Sequence, residues 1–142
     1  MRQSLGLIAL ILFVAGLSFV LSAQDQQGSR SMTITLTGAA EVPGPGDPDG
    51  TGTVKLTLNP GKSQICYELT VENIAAANGV LISAGVVDKT GVPIVTLTPS
   101  KGCAALEQQQ ITDILKNPGS YYVNVQNAEF PNGALRGQLN KN

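Results

Sequence analysis

The sequence contains no histidine and no tryptophan, only 2 cysteines, and 4% aromatic residues. Without imidazole, no Ser-His-Asp or Cys-His catalytic site can be assembled. Zinc sites that use histidine are excluded, and two thiolates cannot make a four-cysteine site. Charge is scarce as well. Charged residues make up 13% of the chain, and 9 Lys+Arg against 10 Asp+Glu leave a net charge of −1. A nucleic-acid binder would show a basic patch or stripe, and no such footprint exists here. The 142 residues hold one ordinary domain and leave little room for a second. Neither a cofactor motif nor a catalytic signature is present.

The apolar residues that are present are unevenly spread. Leu5 to Leu21 carry no charge and a single hydroxyl, Ser18, after a short Met1-Arg2-Gln3 start. A positive start, an apolar stretch and the small residues Ser22 and Ala23 describe a secretory signal peptide, residues 1–23. Gln24 onward is abruptly polar, so residues 24–31 read as a flexible leader to a domain at 32–142. The competing reading is an uncleaved anchor, because the stretch sits at the lower edge of a bilayer span and Leu21 is larger than ideal before a cleavage site. No cysteine follows the stretch, so lipid attachment has no residue to use. The expected location is secreted, periplasmic or cell-surface, with membrane contact only through that segment.

Export changes how Cys66 and Cys103 are read. An even count in an oxidising compartment points to a disulfide, worth roughly 4 kcal/mol at best by chain entropy. Two buried free thiols are the alternative. Reactive thiol chemistry is the weakest reading, because no CxxC pair and no histidine would activate a thiolate.

Period-two alternation dominates the rest. Met32 to Thr37, Thr51 to Leu58 and Gln64 to Glu72 each place aliphatic residues on one face and polar ones on the other. Further runs at Gly79 to Val87, Val92 to Thr98, Ser120 to Asn127 and Ala134 to Leu139 make seven candidate strands. The expected fold is all-β, an antiparallel Greek-key-like sandwich. Glu107 to Lys116 is the exception: rich in helix formers, with Leu106, Ile111, Ile114 and Leu115 on one stripe, it predicts a short helix stopped by Pro118. Ser100 to Leu106 is left as a connection. Pro43 to Gly50 can be neither helix nor central strand and is expected as an exposed loop. Within it Asp47-Pro48-Asp49-Gly50 resembles a fragment of a calcium loop, but further acidic ligands are missing, so a solvated turn is expected.

Several segments together carry a resemblance. Leu36-Thr37-Gly38-Ala39-Ala40-Glu41-Val42-Pro43, Gly50-Thr51-Gly52-Thr53, Cys66-Tyr67-Glu68-Leu69-Thr70-Val71, and Asn117-Pro118 through Tyr121-Tyr122-Val123-Asn124-Val125 occur in order. The ending Phe130-Pro131-Asn132-Gly133-Ala134-Leu135-Arg136-Gly137-Gln138-Leu139 is the most specific. Over about residues 32 to 140 the chain resembles the CHRD domain, the chordin-type module. The resemblance implies an extracellular β-rich domain with no established enzymatic reaction. Many relatives carry Ala-His-Ile-His-x-Gly where this chain has Val80 to Gly85, and a histidine where it has Gln126. Here Leu81, Ser83 and Gln126 occupy those positions. Leucine cannot ligate a metal, and serine or glutamine is a poor transition-metal ligand, so no metal site is expected.

Alternation gives these positions a direction. Val80, Ile82, Ala84 and Val86 are expected to face the core, with Val123, Val125, Leu135 and Leu139. Leu81, Ser83, Tyr122, Asn124, Gln126, Arg136 and Gln138 then fall on the other side, a candidate binding surface. Arg136 has two readings: an anion-recognising charge on that surface, or a structural residue paired with an acid such as Glu129. Two function classes follow. One is a non-enzymatic exported module that binds an extracellular protein or envelope component, or contributes to its structure. The other is an enzyme of carboxylate acid–base type, drawing on Glu41, Glu68, Glu72, Asp88 or Glu129, none linked by a motif.

Overall fold

The computed structural model describes residues 28–141. The signal-peptide and cleavage expectations fall outside the described residues. The described residues form eight antiparallel strands: β1 (Arg30–Thr37), β2 (Thr51–Asn59), β3 (Gln64–Glu72), β4 (Ala77–Ala84), β5 (Val92–Leu97), β6 (Lys101–Ala105), β7 (Tyr121–Asn127) and β8 (Leu135–Gln138). An α-helix, α1 (Gln108–Lys116), lies between β6 and β7. The all-β expectation holds.

All strands belong to one sheet, in the order β5-β4-β7-β8-β1-β2-β3-β6. Residues 98–100 run directly from the β5 edge into the β6 edge. The sheet therefore curls back on itself around a single core. Side-chain contacts help to close the seam: the Tyr67 hydroxyl on β3 lies 2.7 Å from Thr98 Oγ1 and accepts the Thr98 N–H at 3.0 Å. The Leu69 N–H also donates to the Ser100 carbonyl at 2.6 Å.

The core follows the alternation. Met32, Ile34 and Leu36 meet Val54, Leu56 and Leu58, then Ile65 and Tyr67, with Val80, Ile82, Val123, Val125 and Leu135 from the other half. With so few aromatics, the interior is filled mainly by β-branched and leucine side chains, which suit a pleated surface. Helix α1 buries Ile111, Ile114 and Leu115, against the strand β2 and β3 end of the sheet. It stops at Asn117-Pro118, where proline offers no N–H to continue the ladder.

Four expectations need correction. Ser100 to Leu106 is not a plain connection, because Lys101–Ala105 pairs with β3 in register. The segment's alanines and glycine give no hydrophobic alternation, so only the long-range ladder reveals the strand. Strand β4 ends at Ala84, and Val86 lies 50% exposed instead of facing the core. β1 starts at Arg30, before Met32, because Arg30 and Ser31 still pair with Leu58 and Thr57. Finally, the Pro43 to Gly50 loop is not exposed throughout, since Gly46, Asp47 and Gly50 are buried. Asp47 accepts the backbone N–H of Gly50 at 3.0 Å and of Asp49 at 3.3 Å, so its carboxylate is spent on a turn. A Cβ at Gly38 would overlap the Asp47 carbonyl, which shows how closely this loop is laid down.

The disulfide joins Cys66 and Cys103, which sit directly opposite each other on β3 and β6 with Cα atoms 4.0 Å apart. Cys66 precedes buried Tyr67, so the bridge lies on the outer face, as alternation requires.

Candidate functional site

Strand pairing assembles the outer positions into two rows. Thr96, Leu81, Asn124 and Arg136 lie opposite one another across β5, β4, β7 and β8, ending on Thr37 of β1. Pro93, Ser83, Tyr122 and Gln138 form the next row. Side chains of one row point to the same face of the pleat. All seven sequence-selected positions are thus brought onto one patch, with Gln126 opposite Gly79 at its margin.

That patch is not an open polar surface. The loop after β1, the 85–91 turn of the β4–β5 hairpin and the 130–133 turn close over much of it. Arg136 is 2% exposed and occupies the interior of this second layer. Its Nη1 donates to the Lys89 carbonyl at 2.8 Å, and its Nη2 donates to the Val86 carbonyl at 3.0 Å and to Gln138 Oε1 at 3.1 Å. The guanidinium also lies 3.6 Å from the Tyr122 ring centroid, a cation–π geometry. Gln138 Nε2 donates to the Gly85 and Gly119 carbonyls at 2.7 and 2.8 Å. Arg136 and Gln138 therefore grip the backbone of the hairpin turn. The anion-recognising reading of Arg136 does not describe it, because the guanidinium does not face solvent; its place is structural, bonded to carbonyls and lying beside the buried acid Glu41, while Glu129 is exposed.

Glu41 is the acid buried beside it, 5% exposed. Its Oε1 accepts from Asn124 Nδ2 at 2.7 Å. Burial pushes the Glu41 carboxyl up to about 7, against the opposing pull of the Arg136 charge and of hydrogen bonds from Val42 and Asn124. Gly133, at φ 150°, leaves the space for this pair, because a Cβ there would fall on Glu41 Oε2 and Asn124 Nδ2. In the sequence Glu41 is one of several scattered acids with no motif linking them. Its place in the Leu36 to Pro43 segment that carries the family resemblance is the one available signal, but nothing local says that this loop folds inward.

Beside the polar layer lies a cleft of about 370 Å³. Its floor is Leu81, Ser83, Tyr122, Asn124 and Gln126; Val42, Pro43, Thr90, Gly91, Pro93 and Asn132 form its walls. Five of the seven selected residues line it, and Arg136 and Gln138 do not. The walls are held in place: Gly91 N–H donates to the Tyr122 hydroxyl at 3.0 Å, and Thr90 Oγ1 donates to the Val42 carbonyl at 3.2 Å. The Ser83 hydroxyl, on a residue 2% exposed, has no hydrogen-bond partner among the described residues.

The CHRD domain family model matches residues 32–139. The chain belongs to the CHRD family. This family is not known for an enzymatic activity, and the CHRD module together with a disulfide points to an extracellular or envelope context. No curated protein and no solved structure matches the chain.

Proposed function

We propose that this CHRD domain is an exported, non-enzymatic module that holds a ligand of the cell surface or extracellular space in the β4–β7 cleft. The observation that carries this reading is the cleft itself: a concavity lined by neutral groups above an immobilised polar layer. Sites of this size with a few convergent polar groups are the usual form of small-ligand sites. Acid–base chemistry would need a carboxylate reaching the ligand. None of the lining residues carries one, Glu41 is turned to Asn124, and Glu68, Glu72, Asp88 and Glu129 are exposed elsewhere.

Ligand-detected NMR of the exported protein against a fragment library of mixed charge tests the reading. Hits are expected to shift the amides of Ser83, Tyr122 and Gln126, and to disappear in Asn132→Trp, which fills the cleft from its exposed wall. Hits that leave those amides unmoved, or persist in the tryptophan variant, would overturn it. Intact mass of the exported fraction tests processing, with cleavage after Ala23 or Ser22 expected. A chain still beginning at Met1 would count against export with cleavage.

A further inference from the structure

We infer that the β4–β7 cleft takes a neutral, polyhydroxylated ligand, a saccharide unit, held by the Ser83 hydroxyl and the side-chain amides of Asn124, Gln126 and Asn132. This rests on the cleft being the ligand site.

Charge narrows the ligand first. Among the described residues no Asp, Glu, Lys or Arg lines the cleft. The nearby guanidinium of Arg136 is already committed to two carbonyls, Gln138 and the Tyr122 ring. An ionic ligand would lose water and gain no counter-charge, which is costly. The ligand is therefore uncharged.

Backbone pairing narrows it further. An extended peptide gains affinity by adding to a free sheet edge. The floor strands are both interior: β4 pairs with β5 and β7, and β7 pairs with β4 and β8. Their N–H and C=O groups are engaged in ladders, so recognition must come from side chains.

The side chains present suit hydroxyls. Ser83, a residue 2% exposed, offers a hydroxyl that opens to the cleft without a protein partner among the described residues, able both to donate and to accept. Asn124 spends a donor on Glu41 and keeps Oδ1 as an acceptor, fixed in direction by that bond. Gln126 and Asn132 each add an amide with both functions. Carbon surface comes from Leu81 on the floor and from Val42, Pro43 and Pro93 on the walls. A sugar ring presents hydroxyls around its rim and C–H groups on its faces, which matches this division of polar and apolar wall. Because Ser83, Asn124 and Gln126 stand on interior strands and Asn124 is fixed by Glu41, little ordering of these groups is left for binding to impose.

The test uses ¹⁵N-labelled full-length exported protein. It is titrated separately with methyl glycosides of glucose, galactose, mannose and N-acetylglucosamine, with N-acetyl-dialanine methylamide, and with citrate. At least one glycoside is expected to shift the Ser83 amide and the Gln126 and Asn132 side-chain amides in a saturable way. Gln126→Leu is expected to weaken that binding about tenfold with unchanged melting temperature, and Asn132→Trp to abolish it. Shifts at the same amides from the peptide or citrate, but from no glycoside, would overturn the saccharide assignment and leave the cleft as the binding site. Absence of shifts at those amides from every probe would overturn both.

Discussion

The two halves of the sheet are each fastened on the face away from the core, by different chemistry. On the β3–β6 side the fastening is covalent: one disulfide ties a five-residue edge strand to its neighbour. On the β4–β7–β8 side it is electrostatic: Arg136 and Gln138 hold the hairpin turn through carbonyl oxygens, with Tyr122 beneath the guanidinium. A disulfide acts largely by restricting the unfolded chain and is indifferent to pH and salt. A buried guanidinium acts in the native state alone, and it fixes the side chains around it in direction. The half that needs only attachment uses sulfur, and the half that carries the cleft uses an oriented polar layer.

Removing Arg136 should have the largest effect. Arg136→Gln leaves the Lys89 and Val86 carbonyls without their donor and Glu41 without its neighbouring charge, at a cost of about 3–5 kcal/mol. Urea denaturation measures it, and accelerated amide exchange should concentrate at residues 85–91. A loss under ~1 kcal/mol would show that the turn does not depend on the guanidinium.

Removing the disulfide should cost somewhat less. The Cys66→Ala/Cys103→Ala pair opens a link across a sequence separation of 37, and is expected to lose about 2–4 kcal/mol. That loss should be the same at low and high salt. A salt-dependent loss would contradict the contrast drawn between the two fastenings.

The pH dependence comes next. The folded carboxyl of Glu41 titrates near 7, above an unfolded value in the ordinary carboxylate range. The native state therefore holds a proton that the unfolded chain releases. The stabilisation is fully present below the ordinary carboxylate range and fades as pH rises through about 7. The expected decline attributable to Glu41 is on the order of 2–3 kcal/mol. Glu41→Gln should remove that decline when denaturation is compared at pH 5 and pH 8. An unchanged slope in the variant would place the pH dependence elsewhere.

The smallest effect should be that of Tyr122→Phe. The ring remains under Arg136, but the Gly91 N–H loses its acceptor, worth about 1 kcal/mol. Differential melting at fixed pH detects it, and no change would mean that water replaces the hydroxyl freely.

Alternation in the sequence was enough to place Val54, Leu56, Ile65, Tyr67, Val80, Ile82, Val123 and Val125 in one core, because a side-chain period of two leaves no choice of face once one face is buried. The helix ending before Pro118 was legible from its local composition, and the Cys66–Cys103 pairing from the cysteine count, since two cysteines admit a single pairing. The same logic placed Leu81, Ser83, Tyr122, Asn124, Gln126, Arg136 and Gln138 together away from the core. It could not say what lies over them. Whether that face meets water depends on where residues 41–50, 85–91 and 130–133 return, and those approaches are made between segments far apart in the chain. Only the tertiary structure decided between the two readings of Arg136 and made it the grip on a hairpin, drew Glu41 inward against Asn124, and left beside them a cleft. Strand patterning is a short-range property of the chain, whereas burial of a charge is decided by every segment that packs against it.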